Sequence, residues 1–435
     1  MRLPVMELAK TTAGPEQLLE LALRSGAEAA EVAVETAFSQ PVVFEANRLK
    51  QLETSETAAM ALRVWRQGQP GVAVAAGAVP PQQLVDKALA LSELGTAETP
   101  ALSSGGTHTF PTMGEPVPVE QLIEVGERAI ATIRAAYPDV LCEASLSSET
   151  TTTRLINSQG LDYRYGETSL SVGLSAEWVR GDDFLAVGED AVSRTVIDPD
   201  ALAQSVVERL RWAERSAAPV TGQLPVVLTA QAADLLWETV QAALNGRRWV
   251  EGASPWCQGQ RVAQDALTLW QDPSLGPYSC PFDDEGRPTQ RLPLVTAGRV
   301  AQPYCDRTVG EALGFGSTGN GFRPGLGSRA TPGLVNLWVQ PGDRSMAELL
   351  KDLPEAVVVD QVMGGGAGLA GDLSVNLDLG YYLHRGEIVG RLKDTMVSGN
   401  VYKALQQVAA VASHPVWCGA YHTPALVVEG LTTVG

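Results

Sequence analysis

The sequence predicts an α+β protein. Its N-terminal α+β half reads helix–antiparallel strands–helix twice over, and its C-terminal half is mostly antiparallel β. Three observations carry this. Through residue 215, apolar stripes of helical period frame short alternating or β-branched runs. Beyond residue 244, short apolar runs lie between Gly and Pro turns and helical stripes become rare. The chain has 435 residues, more than one core encloses, so separate domains are expected.

The first unit spans residues 1–95. Residues 15–25 form a helix with Leu18, Leu19, Ala22 and Leu23 as its stripe and Gly26 at the C-cap position. Strands follow at 31–38, 42–45 and 48–53, with a turn near Asn47. Strands 58–65 and 72–76 flank a hairpin signal at Gly68–Gly71, and 80–94 is helical. Residues 96–118 are rich in Gly, Pro, Ser and Thr and read as a linker or long excursion, with His108 facing solvent. The second unit, 119–215, repeats the pattern without repeating the residues: helix 119–136, a strand-rich stretch 140–179 containing four consecutive threonines, and a helix opened by Asp198-Pro199. Residues 216–224 are a second linker. The third unit, 225–435, opens with strand 225–229 and helix 231–244. Strands are expected at 292–296, 334–339, 356–359, 373–379 and 426–429, and a second helix at 398–411.

Composition narrows the function classes. The net charge of −18 argues against a nucleic-acid partner, which needs clustered Lys and Arg. No run of eighteen apolar residues appears, so no spanning helix is expected, and Met1–Glu7 lacks the apolar core of a signal peptide. Five scattered cysteines without a C-x-x-C pair fit free thiols in a reducing cytoplasm. The densest stretch is 282–342: an acidic turn at Asp283-Asp284-Glu285-Gly286, the run Gly314 to Pro324, and Thr331-Pro332-Gly333. So much irregular backbone in a compact domain points to a site.

Taken in order, these landmarks resemble the TldD/PmbA family, also called modulators of DNA gyrase. The resemblance rests on Asn157-Ser158-x-Gly160, on Phe282 to Gly286, and on Ser317-Thr318-Gly319-Asn320-Gly321-Phe322-Arg323. It continues through Asn336 before Gln340-Pro341-Gly342, Gly364-Gly365-Gly366, Val397-Ser398-Gly399-Asn400 and Thr423-Pro424-Ala425-Leu426. It implies an N-terminal α+β half and a β-rich C-terminal half. It also implies a cytoplasmic peptidase system in which a TldD-type zinc subunit pairs with a PmbA/TldE-type subunit and cleaves unfolded peptides. The zinc subunit carries H-E-x-x-x-H on the first helix of its C-terminal half.

Placed on that helix, the family's first His falls at Trp237, its Glu at Glu238 and its second His at Ala242. Zinc needs lone-pair ligands, and neither Trp nor Ala supplies one. No histidine lies between His108 and His384, so no shift of register restores the motif. Without a metal, Glu238 reads as a solvated helix residue rather than a general base. His414, Cys418 and His422 have helical spacing and are the alternative ligand set, although Pro415 and Gly419 oppose a helix there. Neither a G-x-S-x-G elbow nor a phosphate-binding loop is present.

The expectation is therefore a non-catalytic PmbA/TldE-type subunit with no cofactor of its own. Zinc would reside in a TldD-type partner, and Asn320, Arg323 and Asn336 would position loops or a bound peptide. The alternatives are an independent metallopeptidase using the C-terminal ligand set and a non-enzymatic homodimeric peptide-binding or regulatory protein.

Overall fold

The strand Ala29–Glu45 is the spine of the N-terminal half. The computed structural model describes residues 14–364 and 366–435, so the N-terminal heptapeptide and Gly365 of the triple-glycine landmark lie outside the described residues. Ala29–Glu45 pairs antiparallel with Ser55–Arg66 on one side and with Leu141–Asn157 on the other. The two units expected as separate domains therefore share one eight-stranded sheet. Its path runs Gln69–Ala76, Ser55–Arg66, Ala29–Glu45, Leu141–Asn157, Asp162–Arg180 and Thr107–Thr109. The stretch expected as a linker supplies the last of these, paired parallel to Asp162–Arg180. Periodicity assigns elements but cannot see that Ser39 and Ser147, 108 positions apart, sit side by side.

Helices cover the sheet in two groups. Pro15–Arg24 and Pro81–Ser92 bury Leu18, Leu84, Val85 and Leu89 against Val32, Leu62 and Val64. Val119–Ala136 and Pro199–Trp212 pack with Leu146, Leu170 and Leu174, and that core continues into Val358, Tyr381 and Leu383 of the C-terminal half. The halves are thus joined through a common apolar core.

The C-terminal half holds a seven-strand path, from Val408–Val411 through Val226–Leu228, Glu355–Met363 and Asp372–His384 to Thr432–Val434, with Glu387–Leu392 added beside Asp372–His384. A six-stranded sheet runs from Arg299–Val300 to Val416–Cys418. Strand pairs in the C-terminal half are mostly antiparallel; Leu337–Val339 with Tyr421–Thr423 in the six-stranded sheet and Glu355–Met363 with Val226–Leu228 in the other are parallel. The helix Asp234–Leu244 lies between the sheets, its Leu236, Trp237 and Val240 packed with Leu294, Val339, Val359 and Val428.

The helix expected at 398–411 is not formed. Met396–Asn400 is a strand, the Asn400 side chain caps a five-residue helix Val401–Leu405, and Val408–Val411 is a strand again. Its apolar residues satisfy both periods, and pairing with Leu426–Val428 decides the outcome. Three further short helices escape the periodicity reading: Gly246–Val250, Arg307–Leu313 and Met346–Asp352. No helix among the described residues is long and apolar enough to cross a membrane.

Candidate functional site

The helix Asp234–Leu244 meets the core on one side and carries polar residues on the other. Asp234, Glu238 and Gln241 line that second side at positions i, i+4 and i+7. Trp237 is 0 % exposed, and its indole N–H donates to the Thr423 hydroxyl at 2.9 Å. That nitrogen is a donor only. Ala242, where the second imidazole would stand, carries a methyl group. These residues do not fit zinc.

Glu238 is exposed, and Gly366 backs onto its carboxylate so closely that a Cβ at 366 would collide with Oε2. A glycine suits that close approach. The Gln241 side chain accepts a hydrogen bond from the Tyr421 hydroxyl at 2.9 Å, and its carbonyl accepts one from Tyr304 at 3.0 Å. Burial pushes the Asp234 carboxyl up to about 6, with the Glu238 charge adding to it.

The three residues of helical spacing near the C-terminus lie on no common helix. Cys418 ends the strand Val416–Cys418 and His422 sits in the facing strand Tyr421–Thr423. The His422 ring packs against Trp338 and Trp417 at 4.2 and 4.8 Å between centroids. Burial holds its imidazole below the usual range. His414 shares a hydrogen bond with Ser413. Burial pushes the Cys418 thiol up to about 12, and the charges of Glu189, Asp234 and Asp360 add to this. Among the described residues, no three His, Cys, Asp or Glu side chains form a metal-holding group.

The glycine-rich stretch is a frame. Asp283 accepts backbone N–H groups from Glu285, Arg287 and Gly321, and Asp284 accepts from Arg323. Asn320 is 0 % exposed, and its amide reaches the Gln271 side chain and the Gly333 carbonyl, while Thr318 donates to it. Asn336 takes a left-handed conformation, φ 49°, donates to Leu275 and accepts from Tyr278. Arg323 forms a buried ion pair with Glu31 of the N-terminal sheet. These three side chains hold loops together from inside. Phe282 completes the joint, wedged among Phe110, Tyr163 and Tyr165.

Burial pushes the Asp283 carboxyl up to about 6 and that of Glu285 up to about 7. A carboxyl whose pKa is raised by folding contributes stability below its unfolded pKa, near ~4, and loses it as pH rises through the folded value. The urea midpoint of the native chain is accordingly expected to fall between about pH 4 and pH 7 relative to that of Glu285→Gln. Parallel curves for the two proteins would refute this.

Sequence reading does not reach a second buried charge cluster. Arg209 pairs with Glu189 and, at 3.1 Å, with Asp360, and it also donates to Gln231. Its members come from separate parts of the chain, and nothing local marks any of them. The acidic turn, by contrast, is visible as a motif though not as a cage of N–H groups.

A two-half α+β frame closed on a central buried helix defines a class, and comparison with known proteins gives it a family. Residues 114–214 match the model of the PmbA/TldA metallopeptidase central domain, and residues 221–435 match that of its C-terminal domain. The chain belongs to the PmbA/TldD family. It is 27 % identical over 229 residues to a metalloprotease of Archaeoglobus fulgidus, covering 51 % of this chain and 53 % of that one. It is 26 % identical over 180 residues to metalloprotease PmbA of Escherichia coli O157:H7, covering 40 % and 38 %. The chain spans about a third to a half of the length of the curated relatives it matches. The crystal structure of TldE from Thermococcus kodakarensis superimposes with a TM-score of 0.87 at 20 % identity, covering 97 % of this chain and 100 % of that one, which establishes the shared fold.

Proposed function

We propose that this chain is a non-catalytic PmbA/TldE-type subunit of a cytoplasmic TldD-type zinc metallopeptidase acting on unfolded peptides. The observation that carries the reading is the occupation of the metal positions. Trp237 fills the first with a core side chain whose only polar atom is spent on Thr423, and Ala242 leaves the second without a ligand. A chain that keeps a peptidase fold while filling its metal position with core is suited to pairing with a metal-bearing paralogue and shaping the space in which peptide is held. Glu238 has no metal-bound water to activate and acts as a surface carboxylate beside Gly366.

The test is reconstitution. This chain mixed with a TldD-type subunit from the same cell is expected to hydrolyse an unfolded peptide well above either chain alone, with chelator abolishing the activity. Chelator-sensitive hydrolysis by the isolated chain would overturn the proposal.

A further inference from the structure

Where the helix Val119–Ala136 passes the first hairpin, the two leave a groove of about 360 Å³. The hairpin joins Ala29–Glu45 to Arg48–Leu52. Ala46 and Asn47 at its tip both take left-handed φ, 47° and 69°, as a two-residue turn of the primed type requires. The Asn47 side chain pins that tip just past the end of the helix. It accepts from the Cys142 N–H at 2.8 Å and donates to the Val140 carbonyl at 3.3 Å. Helix and hairpin touch at Gly126, where a Cβ would meet the Phe44 ring.

Beyond this contact the helix lines the groove with Glu127, Ile130, Ala131 and Arg134, positions i, i+3, i+4 and i+7 of one face. The hairpin contributes Phe44, Arg48 and Leu49. Phe44 and Ile130 are buried and make an apolar floor, while Leu49, 41 % exposed, and Ala131 leave apolar surface open above it. The charges are sorted along the groove. Arg134 stands in the last turn of the helix and Arg48 beside the pinned tip, so both guanidiniums lie at one end. Glu127 stands seven residues back, about 10 Å along the axis at 1.5 Å per residue. Among the described residues, none of these three has an ion pair or a side-chain hydrogen bond. Arg128 of the same helix, which points elsewhere, is paired with Asp200.

Two cations at one end, an apolar floor and an anion at the other end are complementary to a zwitterion with an apolar body. Length narrows the choice. An extended chain covers at most about 3.3–3.6 Å per residue, so three residues span about 10 Å. The volume is that of a small-molecule site, roughly 300–1,000 Å³.

We propose that the groove binds a short apolar peptide of about three residues with both termini free, its carboxylate at Arg48 and Arg134 and its ammonium at Glu127. The inference does not rest on the peptidase reading, because the groove shares no residue with the helix Asp234–Leu244.

Calorimetric titration of the full-length chain with the tripeptide Ala-Leu-Ala tests it. Saturable binding is expected at millimolar peptide or below. The C-terminal amide is expected to bind about tenfold more weakly, and the N-acetylated peptide is expected to bind more weakly as well. Ala131→Trp fills the groove from an exposed helix position and is expected to abolish binding. Arg48→Gln combined with Arg134→Gln is expected to bind the free acid no better than the amide. Both variants alter exposed side chains and are expected to keep the native melting temperature. A native chain that binds no tripeptide, equal binding of acid and amide, or a titration unchanged by Ala131→Trp would each overturn the proposal.

Discussion

Arg323→Ala is expected to destabilise the chain by about 3–5 kcal/mol, because it takes from the buried Glu31 carboxylate its ion-pair partner. The two side chains are 6 % and 5 % exposed and tie the glycine-rich stretch of one half to the central strand of the other. The same guanidinium lies near Arg63, whose buried charge donates to the Ser328 carbonyl, so losing Arg323 disturbs a small network and not one contact. Urea unfolding measures the loss. The double variant Glu31→Gln, Arg323→Met removes both charges and keeps the bulk, and it is expected to recover most of it. If Arg323→Ala lost no more than a surface pair does, about 1 kcal/mol or less, the joint would not depend on this ion pair.

Trp237→Ala is expected to have a comparable effect, about 3–5 kcal/mol, by opening a cavity where the largest fully buried side chain among the described residues now stands. It also removes the indole N–H that the Thr423 hydroxyl accepts, leaving that hydroxyl its bond to the Pro424 carbonyl. Trp237→Phe keeps most of the volume and loses the hydrogen bond, and its smaller loss apportions the two contributions. Thermal unfolding with calorimetry reads both. The structural point bears on function: the position at which the family resemblance expects a metal-binding imidazole is here a core position. A histidine placed there would face the sheets at the cost of a void.

How much of this is legible in the sequence depends on how far apart the partners lie. The helix Asp234–Leu244, the strand Leu141–Asn157 with its threonines and the Asp198 cap are legible because their signals are local. Two of the short helices that periodicity passes over also carry local signals. Ser345 and Glu348 form a capping box, and Asp306 caps a helix that Gly314 ends in the left-handed conformation. What no local signal can give is assembly. The single N-terminal sheet requires Glu31 beside Asn157, and the Arg209 cluster gathers Glu189, Gln231 and Asp360.

For the site, the sequence shows Trp237 and Ala242 where the family resemblance sets imidazoles, and the structure adds that Trp237 is core. The sequence sets Asn320, Arg323 and Asn336 to position loops or a bound peptide. That their side chains reach distant loops from the interior is not legible there. Asn320 reaches Gln271 across 49 positions of sequence, and Arg323 reaches Glu31 across 292. Asn336 likewise holds a distant loop, at Leu275 and Tyr278.

The measurement that reaches the central claim most directly is the zinc content of this chain purified from its own cells, together with the identity of whatever accompanies it. The isolated chain is expected to hold less than stoichiometric zinc, and a metal-bearing TldD-type paralogue is expected to co-purify with it and to carry the chelator-sensitive activity. One equivalent of zinc bound to the isolated chain, and lost on Cys418→Ala or His422→Ala, would contradict it.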